Sequence, residues 1–275
     1  MKQVGVALVG FVACGIAFAA QAEDALTLSG GIEQGGLVRG AVPAGTKVSL
    51  EGQPIRVAAD GHFIFGFGRD APEHAKLVVT YPDGRTDGRD LEVAKRSYDI
   101  QSIKGLPPEM VTPDAATLAR IKREAELVRT ARAKSADLLF FEAPLEWPVT
   151  GTITGVYGSQ RILNGEPRAP HLGVDVAAPA GTSVKASAGG TVVLAEADLY
   201  FTGGTVIVDH GYGLNTAYVH LQKIAVTLGQ TLRQGETIGE LGATGRTTGP
   251  NLHWGVNWYG VALDPVRIAG PMPKE

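Results

Sequence analysis

Hydrophobic and polar positions alternate in short runs through the N-terminal third of the chain. These runs are ALTLSG, GLVRGAV, TKVSLEG, GHFIFGFG, KLVVTYPDGRT and DLEVAKR. The segments DG at 60–61 and PDG at 82–84 are typical of tight turns between strands. Leu77, Val79 and Tyr81 alternate with their neighbours, as in a strand that is buried mainly on one face. Several strands at this spacing predict a small β-sandwich.

The pattern changes to a helical period between about 112 and 139. Thr112 is a candidate N-cap, Pro113 suits the first helical position, and Asp114 complements the helix dipole. We predict a linker helix with one apolar and one solvated basic face. Contact of the basic face with an anionic polymer of the cell envelope is the functional alternative. The two predicted faces consist of Leu118, Ile121, Ala125 and Val128, and of Arg120, Lys122, Arg123, Arg129, Arg132 and Lys134.

From about 147 onward the sequence again predicts strands and glycine-rich turns, with no internal repeat. The predicted fold class is therefore mainly β, with an antiparallel sheet in the C-terminal half. The 37 glycines favour such a turn-rich architecture. The predicted segments are a signal peptide at 1–22, a β-sandwich-like domain at 23–110, a helical linker at 111–142 and a glycine-rich β-sheet domain at 143–275.

The composition narrows the function classes. The chain is 44% hydrophobic and 19% charged, which is ordinary for a globular protein of 275 residues. A net charge of −3 gives no basic surface of the kind that nucleic-acid binding requires, so we expect no nucleic-acid partner.

The first residues are typical of a secretory leader. Lys2 provides the positive charge, residues 4–19 are apolar, and AQA at 20–22 matches a small-x-small cleavage site. The apolar run is too short for a membrane-spanning helix. We therefore predict an exported protein of the periplasm or cell envelope, with no membrane span after cleavage. Cleavage would remove Cys14, the only cysteine, and with it any disulfide or thiolate ligand. A lipoprotein site at Cys14 is the less favoured alternative.

Four of the six histidines lie in the C-terminal half, which directs attention there for chemistry. In HLGVD, His171 and Asp175 are four positions apart, a spacing that suits a helix face or an extended strand equally. Glycine, valine and the nearby Pro179 argue against a helix, so in an extended segment both side chains would point to the same side. An imidazole and a carboxylate placed in this way suit zinc, although many such pairs occur by chance.

Two further segments carry histidines on predicted strands. In TAYVHLQ, alternation puts Tyr218 and His220 on one face and the apolar residues on the other. In NLHWGVNW, Asn251 and His253 lie on a polar, small-residue face, with leucine, tryptophan and valine behind it. Two imidazoles and one carboxylate would leave the fourth tetrahedral position open, as in a catalytic rather than a structural zinc site. A further histidine could then transfer a proton or steady an oxyanion.

Together these segments resemble the M23 zinc metallopeptidases, the LytM or lysostaphin-type peptidoglycan endopeptidases. The resemblance runs from GTITGVYGSQR at 151–161 to ALDP at 262–265. It includes HLGVDVAAPAGTSVKASAGGTVV, GGTVIVDHGYGLNTAYVHL, GQTLRQGETIGELGATGRTTGP and NLHW. It implies a duplicated-hybrid-motif β fold that binds Zn2+ and acts on peptidoglycan.

The resemblance also implies residue roles. His171, Asp175 and His253 match the zinc ligands, and His220 matches a catalytic histidine. Asn251 departs from the family, which has a second, non-ligand histidine at that position. An amide cannot shuttle a proton near neutral pH, but its N–H can still donate to an oxyanion. We therefore expect a reduced or specialised peptidase rather than an inactive one.

Several alternatives remain open. Some proteins of this family have lost catalysis and activate cell-wall amidases. These usually lose metal ligands, whereas this chain keeps all three, and only Asn251 favours such a role. Others cleave protein substrates such as glycine-rich linkers. Arg161 and Tyr218 are candidate substrate-binding residues, with an ordinary exposed arginine as the alternative for Arg161. We expect His210 to be structural. The N-terminal β domain could bind wall polymer, position the enzyme or cover its cleft.

Overall fold

The computed structural model describes residues 26–103, 114–163 and 165–274. The described part of the chain is mainly β, with one long helix between its two halves, as the sequence predicts. The predicted signal peptide at 1–22, the candidate N-cap Thr112 and the candidate first helical residue Pro113 lie outside the described residues. The signal peptide stays a prediction, whereas the predicted start of the helix is wrong, because the helix begins at Ala115 with Asp114 as its N-cap.

The N-terminal half forms two antiparallel sheets. We refer to residues 26–99 as the N-terminal β unit. Its strands are β1 Thr27–Gly30, β2 Leu37–Ala41, β3 Lys47–Leu50, β4 Gln53–Ile55, β5 His62–Gly66, β6 His74–Thr80 and β7 Thr86–Glu92. The three-stranded sheet has the order β1-β2-β5 and the four-stranded sheet has the order β4-β3-β6-β7.

The two sheets share a hydrophobic core. Phe63 and Phe65 of β5 belong to the same buried cluster as Leu77 and Val79 of β6. The predicted alternation along β6 is confirmed, because Leu77, Val79 and the following Tyr81 are buried. Complete burial of one such side chain stabilises the fold by about 1.5–3 kcal/mol. The predicted small β-sandwich is therefore confirmed.

The linker helix α1 spans Ala115–Ala133 and begins after Asp114. The carboxylate of Asp114 accepts a hydrogen bond from the backbone N–H of Thr117 at 2.8 Å, so Asp114 is the N-cap. The cap satisfies a backbone donor that the first turn of a helix otherwise leaves unpaired. Asp114 therefore does more than complement the helix dipole.

The predicted apolar face of α1 is partly wrong. Val128 and Ala131 pack against a cluster on the C-terminal sheet, and Ala131 is buried. Leu118 is 41% exposed and Ala125 is also exposed. The apolar contact between the helix and the sheet is narrow and lies in the C-terminal half of the helix. It includes Val128 of the predicted apolar face and Ala131, which is not part of that face. Helical periodicity does not reveal which part of an apolar stripe has a partner.

The predicted basic face of α1 is not uniformly solvated. Arg120 donates to Glu124 at 2.6 Å and to the backbone and side-chain oxygens of Asp198 at 2.8 and 3.1 Å. Arg129 donates to Glu126 at 2.5 Å. Burial of Arg132 lowers the pKa of its guanidinium. Fewer free cations are therefore available for an anionic polymer than the sequence suggests.

Strand β8 Ile100–Ile103 precedes α1, and the C-terminal half contains the remaining strands and a short final helix. They are β9 Thr152–Gly155, β10 Gln160–Leu163, β11 Glu166–Pro167, β12 Val174–Ala177, β13 Ser183–Lys185, β14 Gly190–Leu199, β15 Gly203–Gly211, β16 Leu214–Ile224, β17 Thr231–Leu232, β18 Thr237–Leu241, β19 Asn251–Trp258, β20 Val261–Leu263 and α2 Pro265–Ala269.

Most of these strands form one ten-stranded antiparallel sheet. Its main path is β17-β14-β15-β16-β19-β12-β9, with β13, β18 and β20 attached at its side. A separate three-stranded sheet has the order β11-β10-β8, in which β8 and β10 run parallel. The central strands β16, β19 and β12 of the large sheet are therefore held by a partner on each side.

One face of β19 forms the core of this half. Leu252, Trp254 and Val256 are buried, and the Trp254 ring lies 5.3 Å from that of Trp147 between centroids. This face agrees with the predicted alternation. The opposite face of β19 carries Asn251 and His253.

The N-terminal β unit packs against the C-terminal half through apolar and charged contacts. Leu37 and Ile64 belong to the same buried cluster as Trp254. Arg96 forms a salt bridge of 2.8 Å with Asp264, whose side chain is only 5% exposed. The predicted domain boundaries at 110 and 142 stay predictions. Among the described residues, no helix has the length and apolar character needed to cross a membrane.

The contact of α1 with the sheet gives a test of the fold. Ala131→Glu introduces a charge at a buried position, so we expect it to reduce the free energy of unfolding by about 2 kcal/mol or more. Ala125→Glu makes the same change at an exposed position of the same helix and is expected to change it by less than about 0.5 kcal/mol. Urea unfolding of both variants decides the question, and equal effects would contradict the packing described here.

Candidate metal centre

The register of two central strands brings together an aspartate and a histidine. Strands β12 and β19 are antiparallel, and Asp175 lies directly opposite His253. Residues that face each other across antiparallel strands project from the same side of a sheet. The distance from Asp175 Oδ1 to His253 Nδ1 is 2.8 Å. Two residues that are 78 positions apart in sequence thus become neighbours through backbone pairing alone.

His171 reaches the same point from the loop that precedes β12. Its Nε2 is 3.1 Å from Asp175 Oδ1 and 2.9 Å from His253 Nδ1. The three side chains are between 23% and 25% exposed, so the cluster is open to solvent on one side. The structure thus brings together all three residues that the sequence proposes as metal ligands.

The loop of residues 156–159, which we call the site loop, orients His171. His171 Nδ1 is 3.0 Å from the carbonyl oxygen of Val156, an acceptor, so Nδ1 carries the proton. The backbone of His171 exchanges hydrogen bonds with Gly158 N–H at 2.7 Å and with the Ser159 carbonyl at 2.8 Å. In the protonated ring Nε2–H donates to Asp175 Oδ1, and loss of that proton exposes on Nε2 the lone pair that a metal ligand requires.

Two glycines provide space for the ligand side chains. A Cβ on Gly155 would lie 2.4 Å from Asp175 Oδ2, and a Cβ on Gly173 would lie 2.6 Å from His253 Nε2. Neither glycine has a left-handed backbone, so the absence of a side chain matters here rather than backbone freedom. Sequence reasoning missed both, because glycines are too frequent in this chain for two of them to stand out.

The three donor atoms fit a tetrahedral metal. Zinc bonds of about 2.0–2.2 Å to imidazole and carboxylate imply separations of about 3.3 Å between ligand atoms. The three separations here are 2.8, 2.9 and 3.1 Å, so only a few tenths of an ångström of expansion are needed. Two nitrogens and one carboxylate oxygen with an open side are typical of a catalytic site rather than of a closed structural one.

The charges in the cluster stabilise one another. Burial acts to raise the pKa of Asp175, but hydrogen bonds from His171 and His253 outweigh it and hold that pKa well below its usual range. Burial acts to lower the pKa of His171, and the hydrogen bond and charge of Asp175 outweigh it, so that this pKa is raised. Asp175 is therefore an anion in this setting, as a ligand for a divalent cation must be.

His220 projects beside the cluster because of an irregularity in β16. It has a left-handed backbone with φ of +67°, which few residues other than glycine adopt. The register of β16 with β15 shifts between Tyr218 and Leu221, around His220, and its register with β18 shifts between Leu221 and Lys223. The prediction that Tyr218 and His220 share a face is wrong, because the irregularity interrupts the alternation that the prediction assumed. Such strain is often found at functional positions.

The imidazole of His220 forms a hydrogen bond to the backbone through Nδ1, which leaves Nε2 available for chemistry. Nδ1 is 2.8 Å from the carbonyl oxygen of Thr244 and therefore carries the proton in the neutral ring. Burial lowers the pKa of His220, and the hydrogen bond to the Thr244 carbonyl opposes this shift without cancelling it. His220 is therefore neutral near pH 7, and its Nε2 carries the lone pair that can accept a proton.

The structure tests one of the two predicted substrate-binding residues. The prediction for Tyr218 is wrong, because its side chain is completely buried and belongs to the core cluster. Its hydroxyl accepts a hydrogen bond from the Ser187 N–H at 2.8 Å and lies 2.9 Å from the Thr216 hydroxyl. Arg161 belongs to β10, but its side chain lies outside the described part, so its role stays a prediction.

Asn251 stands two residues before His253 on the same face of β19. Its Oδ1 accepts a hydrogen bond from the Thr247 hydroxyl at 3.0 Å. The same hydroxyl lies 3.1 Å from the Gly249 carbonyl oxygen. When its proton goes to Oδ1, the Nδ2 amide of Asn251 is left to donate elsewhere. The loop of residues 242–250 thus contacts both non-ligand polar residues, with Thr244 at His220 and Thr247 at Asn251. Neither threonine was identified from the sequence.

His210 has the contacts of a structural histidine, as the sequence predicts. It is completely buried, its Nδ1 is 2.6 Å from the Gly189 carbonyl oxygen, and its Nε2 is 2.8 Å from the Thr216 hydroxyl. Burial lowers the pKa of His210 to about 4. Both ring nitrogens are therefore engaged in the core and have no access to a ligand.

A second group of possible metal ligands lies between the N-terminal β unit and the turn at Phe140–Glu142. It consists of Asp60, His62 and Glu142. His62 Nδ1 is 3.1 Å from Asp60 and 3.3 Å from Glu142, and all three side chains are at least 40% exposed. These distances are those of exposed ion pairs, which contribute little stability. The cluster at His171 is the better candidate, because it is more buried and its donors converge.

An open site of two imidazoles and one carboxylate on a central β-sheet defines a candidate hydrolytic metal centre. The sequence profile of Peptidase family M23 matches residues 169–265, which contain all three candidate ligands. A solved structure from Pseudomonas aeruginosa, described as a peptidase M23 protein, is 30% identical to this chain. The alignment covers 88% of this chain and 96% of that one, with a TM-score of 0.63. The chain belongs to peptidase family M23.

Two curated relatives have more specific names. The DD-carboxypeptidase/endopeptidase Mpg of Neisseria meningitidis is 40% identical over 104 residues, or 38% of this chain. The peptidoglycan DD-endopeptidase ShyA of Vibrio cholerae is 41% identical over 107 residues, or 39% of this chain. The matches span only 24% and 25% of the relatives' own lengths. The likeness to these relatives thus concerns a segment of each and not the whole protein.

Proposed function

We propose that this protein is a zinc-dependent endopeptidase of the periplasm or cell envelope that cleaves peptide cross-links in peptidoglycan. The proposal depends on one observation, the convergence of His171 Nε2, Asp175 Oδ1 and His253 Nδ1 within 3.1 Å of one another. Membership of peptidase family M23 supports a peptidase reaction. The name of the Vibrio cholerae relative supports peptidoglycan as the substrate class.

The three converging residues would hold the zinc ion. When bound there, zinc supplies Lewis-acid chemistry, which polarises a scissile carbonyl and lowers the pKa of a water molecule. Asp175 provides the negative charge, and the two imidazoles provide neutral nitrogen donors. Because the side chains are about a quarter exposed, one side of the site remains accessible to a peptide.

His220 is our candidate for the general base. With Nδ1 bound to the Thr244 carbonyl, Nε2 can take a proton from the attacking water and then pass it to the leaving amine. The lowered pKa keeps His220 in its basic form near neutral pH. The Thr244 hydrogen bond also holds the ring in place, so that little reorganisation is needed during the reaction.

Asn251 is our candidate for an oxyanion donor. When the Thr247 hydroxyl donates to Oδ1, the Nδ2 amide can donate to the negative charge that develops on the carbonyl oxygen. One donor of this kind contributes about 3–4 kcal/mol in other enzymes. An amide transfers no proton, so all proton transfer falls to His220. We therefore expect turnover to be reduced but present.

Digestion of isolated peptidoglycan tests the proposed function. The purified protein carrying one equivalent of zinc should release products from cross-linked muropeptides, and a chelator should abolish the reaction until zinc is returned. Glycine-rich peptides serve as the alternative substrate. If the zinc-loaded protein changes no muropeptide across several cross-link chemistries, the proposed substrate is wrong.

A variant at position 220 tests the mechanism in the same assay. His220→Ala removes the general base, so we expect turnover to fall by about 100-fold or more. The zinc content should not change, because His220 is not among the converging donors. His74→Ala is a matched control, since His74 is an exposed histidine of the N-terminal β unit. Unchanged turnover in His220→Ala would remove that residue from the mechanism.

A second candidate function is regulation, in which the chain binds and activates cell-wall amidases with little or no catalysis of its own. The observation that favours it is Asn251, which replaces an imidazole by a group without acid–base capacity. Asn251→His distinguishes the two functions. If the natural protein is an enzyme, the variant speeds a reaction that is already measurable. If the wild type has no measurable activity and only Asn251→His has it, the natural protein is a regulator.

A further inference from the structure

The third candidate ligand differs from the other two in how it is held. Asp175 and His253 are fixed by the pairing of β12 with β19. His171 lies outside this pairing, in the loop before β12. Its position depends on the three hydrogen bonds that join it to Val156, Gly158 and Ser159 of the site loop. Any displacement of that loop therefore moves His171 relative to the other two donors.

The N-terminal β unit holds the site loop through an arginine. Arg69 donates from Nε to the carbonyl oxygen of Gly158 at 2.8 Å. Its side chain is only 12% exposed, and Asp70 accepts a hydrogen bond from Nη1 at 2.6 Å. A hydrogen bond from a charged donor is roughly twice as strong as one between neutral groups. Gly158 is thus bound through its carbonyl oxygen by Arg69 and through its N–H by the carbonyl oxygen of His171.

Tyr98 completes the attachment. Its ring packs so closely on Gly158 that an added Cβ would lie 2.0 Å from Tyr98 Cδ1. The guanidinium of Arg69 lies 4.6 Å above the same ring, and the Tyr98 hydroxyl donates to the Arg69 carbonyl at 3.2 Å. Gly158 also has φ of +85°, which only glycine adopts readily. The loop can therefore approach the N-terminal β unit in this way only with glycine at position 158.

The residues that follow the site loop are attached as well. The backbone N–H of Gln160 donates to the Asp99 carbonyl at 2.9 Å, and the Gln160 side chain accepts from Arg69 Nη2 at 3.4 Å. Beyond this point β8 and β10 pair in parallel. The site loop is therefore fixed where it joins β10, and the attachment includes backbone as well as side-chain contacts.

We propose that Arg69 and Tyr98 are positioning residues of the metal centre, which fix the site loop and through it the orientation of His171. This inference rests on the proposed zinc site. The N-terminal β unit then has a defined role in the site. Its residues are distant in sequence from the three candidate ligands, yet they influence how closely the ligand atoms converge. Arg69 acts through Gly158 and contacts neither substrate nor metal.

Variants of Arg69 that differ in a single group give the sharpest test. In Arg69→Gln the side-chain amide nitrogen occupies the place of Nε, so the hydrogen bond to Gly158 can persist. In Arg69→Met a methyl group occupies that place and cannot donate. We expect Arg69→Met to raise the zinc dissociation constant by about 10-fold, the lower end of the effect of losing a direct partner of a metal ligand, because Arg69 acts through Gly158. Arg69→Gln should restore most of the affinity.

Arg56→Met is the matched control. Arg56 also belongs to the N-terminal β unit, lies 4.4 Å above the ring of Tyr212, and donates to the carbonyl oxygens of Ser135 and Ala136 at 3.1 and 3.3 Å. It has no bond to the site loop. Urea unfolding of the metal-free proteins measures the stability lost in each variant, and competition with a chelator measures zinc affinity. Arg56→Met should bind zinc as the wild type does.

The kinetic readout separates positioning from substrate binding. At saturating zinc, Arg69→Met should lower kcat with little change in KM, because the reacting groups are misplaced while the peptide still binds. If Arg69→Met binds zinc and turns over as Arg56→Met does, the proposal is wrong. Should Arg69→Met not fold, Tyr98→Leu takes its place, and unchanged zinc affinity in that variant would equally overturn it. Failure of the proposed function would appear earlier, as absence of zinc binding or turnover in the wild type.

Discussion

The pairing of β12 with β19 is the interaction on which the candidate site depends. It sets Asp175 opposite His253, and the burial of Leu252, Trp254 and Val256 on the other face of β19 holds that register. If the pairing of β19 slipped by one residue, its polar side chains would point into the core and Trp254 would point towards the cleft. The register is therefore strongly specified. The hydrophobic core and the candidate metal centre are therefore two faces of one strand.

The remaining polar residues of the site come from less regular backbone. His171 lies in a loop, His220 has a left-handed conformation within β16, and Thr244 and Thr247 belong to the loop before β19. Each of these positions is fixed by hydrogen bonds to backbone or side chain rather than by strand pairing. A rigid sheet thus provides two donors with little adjustment, whereas the loops place the groups whose orientation determines the chemistry. The N-terminal β unit contributes to this second set through its contact with the site loop.

The sequence predicted the regular parts of this arrangement and missed the irregular ones. Alternation along β6 and β19 identified their buried faces, because an extended strand has a strict period of two. The same rule failed at Tyr218, because one left-handed residue at His220 interrupts the period and leaves no signal in the sequence. It failed on α1 for another reason: an apolar stripe shows what can be buried, but only the tertiary structure decides where the partner surface lies. Gly155 and Gly173 likewise matter only for the side chains that approach them.

X-ray absorption at the zinc edge, together with anomalous diffraction from zinc-loaded crystals, tests the central claim most directly. We expect one ion bound to His171 Nε2, Asp175 Oδ1 and His253 Nδ1 at about 2.0–2.2 Å, with its remaining position open to exchange. His220 should lie nearby without binding the ion. An ion held instead by Asp60, His62 and Glu142, or one that takes His220 as a ligand in place of His171, would contradict the account.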